Sequence, residues 1–92
     1  MKLVLYSKPG CHLCEGLEEK LAVLSGYEVE IRDITTRPDW FEAYQYEIPV
    51  LCYVTETSGS LQEFPVPRIS PRASVAQVDR MIQKHIDRVE AE

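Results

Sequence analysis

The chain has 92 residues, of which 45% are hydrophobic and 27% charged, and its formal net charge is -5. This size allows a single domain, residues 1–92, with one modest core, and the hydrophobic fraction excludes a disordered chain. The acidic balance argues against a nucleic-acid partner, and no apolar run is long enough to span a membrane. The first apolar stretch is too short for a signal peptide, so we expect a cytoplasmic protein without structural disulfides.

The first third of the chain predicts a strand, a helix and a second strand. Lys2 to Ser7 is apolar on both faces, which is typical of a buried central strand. Pro9-Gly10 ends this strand, and an amphipathic helix follows until Ser25-Gly26. The apolar stripe of this helix consists of Cys14, Leu17, Leu21 and Leu24. Tyr27 to Ile34 alternates apolar and polar residues, as a half-exposed edge strand does, and its short links predict parallel pairing with the first strand.

The rest of the chain predicts a helix, two strands and a final helix. Thr36 is a candidate N-cap for a short second helix with aromatic core residues, Trp40, Phe41 and Tyr44. Val50 to Val54 reads as a third strand, and Leu61 to Val66 as a fourth, antiparallel to it. Ser74-Val75-Ala76-Gln77 has the form of a capping box and starts the last helix.

This element order, β-α-β-α-β-β-α, predicts an α/β fold. We expect a four-stranded mixed sheet in the order 2-1-3-4, flanked by three helices. Helices one and three should cover one face of the sheet, and helix two the other.

Cys11-His12-Leu13-Cys14 is the most informative motif, because it lies where the first strand passes into the first helix. Free N–H groups and the macrodipole at a helix N-terminus favour a thiolate, the reactive form of cysteine. Cys11 is therefore the candidate nucleophile. Cys14, on the apolar stripe, is the candidate resolving thiol.

The other potential ligands and thiols have weaker interpretations. A closed zinc site needs four ligands, and His12, His85 and Cys52 are too scattered to complete one. A protonated His12 would stabilise a neighbouring thiolate, but a side chain directed into solvent is the preferred interpretation. Cys52 lies among apolar residues and is interpreted as an inert core cysteine.

Two segments together carry a family resemblance: Lys8-Pro9-Gly10-Cys11-His12-Leu13-Cys14 and Glu47-Ile48-Pro49-Val50. They resemble the glutaredoxin and thioredoxin superfamily, and within it small bacterial glutaredoxin-like proteins. The resemblance implies a cis bond between Ile48 and Pro49 beside the redox cysteines. It also implies that the Ile48 backbone pairs with an extended substrate segment, and that Lys8 helps to hold a glutathione carboxylate.

Two departures from the family pattern concern glutathione. Glu47-Ile48-Pro49 stands where relatives that bind glutathione typically have Thr-Val-Pro. Pro67-Arg68-Ile69-Ser70-Pro71-Arg72 stands where they have a Gly-Gly pair. Arg68 and Arg72 are candidates to take over anion binding as guanidinium forks. We expect no tightly bound cofactor, and glutathione as a co-substrate stays open.

The sequence thus predicts a monomeric thiol–disulfide oxidoreductase that reduces protein disulfides or glutathione mixed disulfides. The predicted catalytic pair is Cys11 and Cys14, which would form the redox disulfide. The predicted substrate-binding residues are Lys8, Ile48, Pro49, Arg68 and Arg72. The electron donor would be glutathione or a reductase. Two alternatives remain: a metal or iron–sulfur cluster carrier that uses Cys11, and a redox-inert partner-binding module.

Overall fold

The computed structural model describes residues 1–91 and has the predicted order of elements. A short 3-10 turn, Ile34–Thr36, precedes the second helix. The strands and helices are β1 (Lys2–Ser7), α1 (His12–Val23), β2 (Glu28–Asp33), α2 (Pro38–Tyr44), β3 (Val50–Thr57), β4 (Ser60–Pro65) and α3 (Val75–Glu90). No helix within residues 1–91 is both long enough and apolar enough to cross a bilayer.

The four strands form one mixed sheet in the order β2-β1-β3-β4, which confirms the predicted topology. β1 pairs with β2 in parallel, with Lys2 opposite Glu28. β1 and β3 pair antiparallel, as do β3 and β4. β1 is central because its side chains are apolar in both directions, so that each face of the strand can be covered by a packed layer.

The two faces of the sheet carry separate apolar clusters. One cluster joins β1 and β3 to the buried stripes of α1 and α3, with Leu3, Leu5, Leu17, Leu21, Val78, Ile82 and Ile86 among its members. The other lies beneath α2 and contains Val4, Tyr6, Ile34 and Cys52, with Trp40 and Tyr44 packed against them. Helices one and three therefore share one face of the sheet and helix two covers the other, as predicted.

Several predicted boundaries are wrong by a few residues. Thr36 does not cap α2, because it lies inside the 3-10 turn that Asp33 caps through Thr35 N–H at 2.9 Å. Arg37 is the N-cap instead, since a residue before proline is driven out of the helical region. β3 continues to Thr57, where Ser58 and Gly59 make the hairpin turn at positive φ. Phe41, predicted to be a core residue, is 40% exposed.

Candidate functional site

The turn between β1 and α1 holds the two cysteines of the motif. Gly10 has φ +83°, a left-handed conformation that glycine adopts without strain, and it brings the chain to the helix start. Cys11 is the N-cap of α1, and its Sγ accepts a hydrogen bond from Cys14 N–H at 3.2 Å. Glu15 N–H donates to the Cys11 carbonyl at 3.0 Å and closes the first helical turn. The sulfur of Cys11 thus lies against the positive end of the helix.

Cys11 and Cys14 form a disulfide, with their Cα atoms 5.3 Å apart. Cys11 is half-buried, whereas Cys14 is only 2% exposed, on the apolar stripe with Leu17 and Leu21. The order of exposure is the one predicted for a nucleophile and its resolving partner. Cys11 is thus the more exposed residue of the pair, and Cys14 lies in the core.

His12 and Cys52 have the positions favoured from the sequence. The His12 side chain is 97% exposed, and its Nδ1 lies 3.4 Å from Glu15 Oε1. Cys52 is 1% exposed in the cluster beneath α2, on the opposite face of the sheet from α1. Burial raises the pKa of the Cys52 thiol to about 12. Cys52 is therefore a packed thiol, separated by the sheet from the Cys11–Cys14 pair.

The Ile48–Pro49 peptide bond is cis, as the resemblance implies. Ile48 N–H donates to the Tyr44 carbonyl at 3.1 Å, so this donor is already used within the chain. Within residues 1–91 the Ile48 carbonyl accepts no side-chain hydrogen bond and none from a turn or loop amide. Of the two Ile48 backbone groups, the carbonyl is therefore the one left for the predicted pairing with a substrate segment.

A groove of about 210 Å³, here called the redox groove, runs beside the motif. His12 and Leu13, the two residues between the cysteines, lie at it together with Pro49. Its apolar lining comes from α1, the start of β3 and the segment that follows β4: Leu13, Leu17, Leu51, Val66, Pro67, Ile69 and Pro71. A concave apolar surface with a few polar groups is the usual form of a binding site.

Two cations line the redox groove, and one of them was not predicted. Arg68, a predicted site residue, donates from Nη1 to the Glu47 carbonyl at 3.2 Å. Lys20, which sequence reasoning missed, donates from Nζ to the Pro71 carbonyl at 2.9 Å. Leu13, Gly16 and Lys20 recur at helical spacing beside the cysteine stripe, and this periodicity was the signal that could have identified them.

The remaining predicted binding residues do not line the redox groove. Lys8 is exposed in the turn before the motif, where its carbonyl accepts from Cys11 N–H at 3.3 Å. Arg72 lies further along the segment after β4, in a neighbouring groove. The structure thus brings Pro49 and Arg68 together beside the cysteine motif and leaves Lys8 and Arg72 outside that groove. Within residues 1–91, no group of three or more His, Cys, Asp or Glu side chains is placed to hold a metal ion.

Comparison with solved structures supports the thioredoxin-like fold. The X-ray structure of the structural genomics target XcR50 from X. campestris matches with a TM-score of 0.58 and 22% identity, over 89% of this chain and 96% of that one. Thioredoxin 1 from Thermosipho africanus TCF52B also matches with a TM-score of 0.58, at 15% identity, over 98% of this chain and 99% of that one. At such identities the likeness concerns the fold alone.

Sequence comparison assigns the family. No functionally curated protein matches this sequence. The family model described as a glutaredoxin-like domain, DUF836, matches residues 2–83, which is most of the chain. The matched range contains the cysteine motif, the cis proline and the redox groove. The chain therefore belongs to the glutaredoxin-like domain family.

Proposed function

We propose that this protein is a thiol–disulfide oxidoreductase that uses the Cys11/Cys14 dithiol to reduce disulfides in other proteins. The observation that carries the proposal is the placement of the two sulfurs. The accessible one caps α1 and accepts the Cys14 N–H, while the buried one lies within bonding reach of it. A cysteine at a helix N-terminus commonly has its pKa lowered from about 8.5 to roughly 3.5–7.5, which makes the thiolate available at neutral pH.

The proposed reaction has two exchange steps. The Cys11 thiolate attacks one sulfur of the substrate disulfide, forms a mixed disulfide and releases the other substrate sulfur as a thiolate, which takes up a proton. Cys14, after losing its proton, attacks Cys11 Sγ. The mixed disulfide breaks, the second substrate thiol leaves, and the Cys11–Cys14 disulfide remains.

The two steps transfer two electrons from the dithiol to the substrate, so the protein must be reduced again. We propose a dithiol donor or a reductase of the thioredoxin-reductase type for this step, in a reducing compartment such as the cytoplasm. No tightly bound cofactor takes part.

The redox groove favours a polypeptide substrate. Its lining is mostly apolar, and the Ile48 carbonyl beside it is free to accept from a substrate amide. Where glutathione-binding relatives typically have a Gly-Gly pair, this chain has the segment Pro67 to Arg72. Lys20 of α1 donates to the Pro71 carbonyl of this segment. We therefore propose that glutathione is at best a poor co-substrate.

Variants of the three cysteines test the proposal in a protein-disulfide reduction assay. Cys11→Ser should abolish turnover, and Cys14→Ser should accumulate the mixed disulfide, because attack occurs without resolution. Cys52→Ala is the matched control and should retain turnover. The same assay, driven by glutathione and glutathione reductase, should run well below the rate with thioredoxin reductase. Full activity of Cys11→Ser would refute the proposal.

A further inference from the structure

A second groove lies next to the redox groove and is lined by cations. It has a volume of about 620 Å³, and its charged residues are Arg68, Arg72, Arg80 and Lys84. Arg68 and Ser70 line both grooves, so the two are adjacent. This surface is here called the basic groove. It gathers four of the ten Lys and Arg residues of a chain whose net charge is -5.

The cations of the basic groove lack the carboxylate partners that other cations of the molecule have. Lys2, Arg32 and Arg37 each form an ion pair. Across residues 1–91, none of the four cations of the basic groove forms one, and no carboxylate lines the groove. Asp79, the neighbour of Arg80 on α3, instead accepts from Tyr27 Oη at 2.6 Å. Four like charges thus share one concave surface without internal neutralisation.

The helix beside the groove adds to its positive potential. Gln77 lies in the first turn of α3 and lines the groove. The first turn of this 16-residue helix, where the positive end of the macrodipole lies, therefore borders the basic groove. The rest of the molecule is acidic, but its field is screened beyond about 8 Å at physiological ionic strength. A short anionic segment in the groove would experience mainly the local cations.

We propose that the basic groove binds an acidic segment of the protein substrate, beside the disulfide that the redox groove receives. This inference rests on the proposed function for its link to disulfide reduction. Because the two grooves are adjacent, with Arg68 and Ser70 between them, one extended polypeptide can reach from one to the other. The overall charge of -5 disfavours the long, uniformly anionic surface of a nucleic acid or a membrane, whereas a few Asp and Glu residues match four cations.

The first test is a pair of peptide disulfides with the same reactive segment. One carries a tail of four Glu and Asp residues, and the other carries the corresponding Gln and Asn tail, each with spacers of increasing length. At about 0.05 M salt the acidic peptide should have a kcat/KM roughly tenfold higher, the gain expected from several exposed charge pairs. At about 0.5 M salt the preference should largely disappear. Equal kcat/KM values at low salt would overturn the inference.

Variants that remove charges from α3 show which residues cause the preference for the acidic peptide. Arg80→Gln should reduce the preference for the acidic peptide about threefold, and R80Q/K84Q should remove most of it. Arg88→Gln removes the same charge from another exposed position of α3, outside the basic groove, and should leave the preference unchanged. An equal loss of preference in Arg88→Gln would show a general charge effect and overturn the assignment to the groove.

A binding measurement separates this inference from the proposed function. A fluorescent acidic peptide without cysteine should bind the oxidised wild-type protein and lose affinity in R80Q/K84Q. Such binding without any disulfide turnover would refute the proposed function but support the binding of an acidic segment in the basic groove. Turnover without such binding would refute only the proposed binding of an acidic segment in the basic groove. Tighter binding of a single-stranded oligonucleotide of equal charge would overturn the assignment to a protein partner.

Discussion

The two faces of the sheet place cysteine and cationic side chains in opposite chemical situations. Beneath α2, Arg32 donates to Glu30 at 2.5 Å, to Glu63 at 2.9 Å and to Tyr6 Oη at 2.8 Å. Its guanidinium carbon also lies 5.4 Å from the centroid of the Trp40 ring. The cation is saturated with partners, and the thiol in the same cluster, Cys52, is protonated because burial raises its pKa.

On the face that α1 and α3 cover, the cations at the surface have few partners. Lys20 and Arg68 each donate to a single backbone carbonyl. The accessible thiol, Cys11, lies at a helix N-terminus. The difference shows that residue type alone does not decide whether a thiol or a cation is buried among partners or open to solvent. Burial and a full set of partners leave little hydrogen-bonding capacity beneath α2, whereas the cations and Cys11 on the other face keep open hydrogen-bonding capacity or access to solvent.

Alkylation of the reduced protein should give the largest contrast between the two faces. With a pKa of about 12, roughly one Cys52 thiol in 100,000 is ionised at pH 7, and the site is also buried. Cys11 is only half-buried and caps a helix, a position that favours a thiolate. We expect Cys11 to react at least about 1,000 times faster than Cys52, measured by mass spectrometry of timed samples. Comparable alkylation rates for Cys11 and Cys52 in the folded protein would contradict the proposed difference between the two faces.

Arg32→Met should destabilise the protein without affecting disulfide reduction. The variant keeps the aliphatic stem but leaves Glu30, Glu63 and Tyr6 without their shared donor. We expect a loss of about 2 kcal/mol in the free energy of unfolding, measured by urea denaturation. Arg37→Met is the matched control, because Arg37 also contacts Trp40 but pairs with Asp39 in solvent. It should cost about 0.5 kcal/mol. Equal losses for the two variants would show that the hydrogen bonds of Arg32 beneath α2 stabilise the protein no more than an exposed ion pair does.

Cys52→Ala should have a smaller effect than Arg32→Met, with a loss of about 1 kcal/mol at pH 7 from a small cavity. Its pH dependence has a definite sign. Because the folded-state pKa of Cys52 is raised, its contribution to stability is complete below the usual value of 9.0 and is lost as the pH rises toward about 12. The wild-type protein should therefore lose stability faster than Cys52→Ala over this range. Parallel curves of unfolding free energy against pH for the two proteins would contradict the raised pKa of Cys52.

Much of the fold could be predicted because its signals are local. The stripe of Cys14, Leu17 and Leu21 and the capping box at Ser74 are patterns of neighbouring residues, and each is present as predicted. The boundaries around Thr36 were wrong because a turn capped by Asp33 competed with the helix start. Exposure of Phe41 depends on how α2 is rotated over the sheet, which periodicity in seven residues does not define.

The candidate site could be predicted only in part, because some of its contacts join residues that are far apart in the chain. The cysteine motif was identified because its chemistry depends on a helix start immediately beside it. Lys20 was missed because its contact with the Pro71 carbonyl joins residues that are 51 positions apart in the chain. The sequence did not show that Ile48 N–H donates to the Tyr44 carbonyl, a contact that the loop geometry creates.

By itself, the sequence determined the order of strands and helices, the position of the dithiol at a helix start and the burial of Cys14. These properties follow from short-range periodicity, capping and turn residues. Only the tertiary structure decided which cations share a surface and which are neutralised. Arg68, Arg80 and Lys84 line one groove because the segment after β4 packs beside α3, whereas Arg32 reaches Glu63 across the sheet. Such contacts join distant parts of the chain, and no local pattern encodes them.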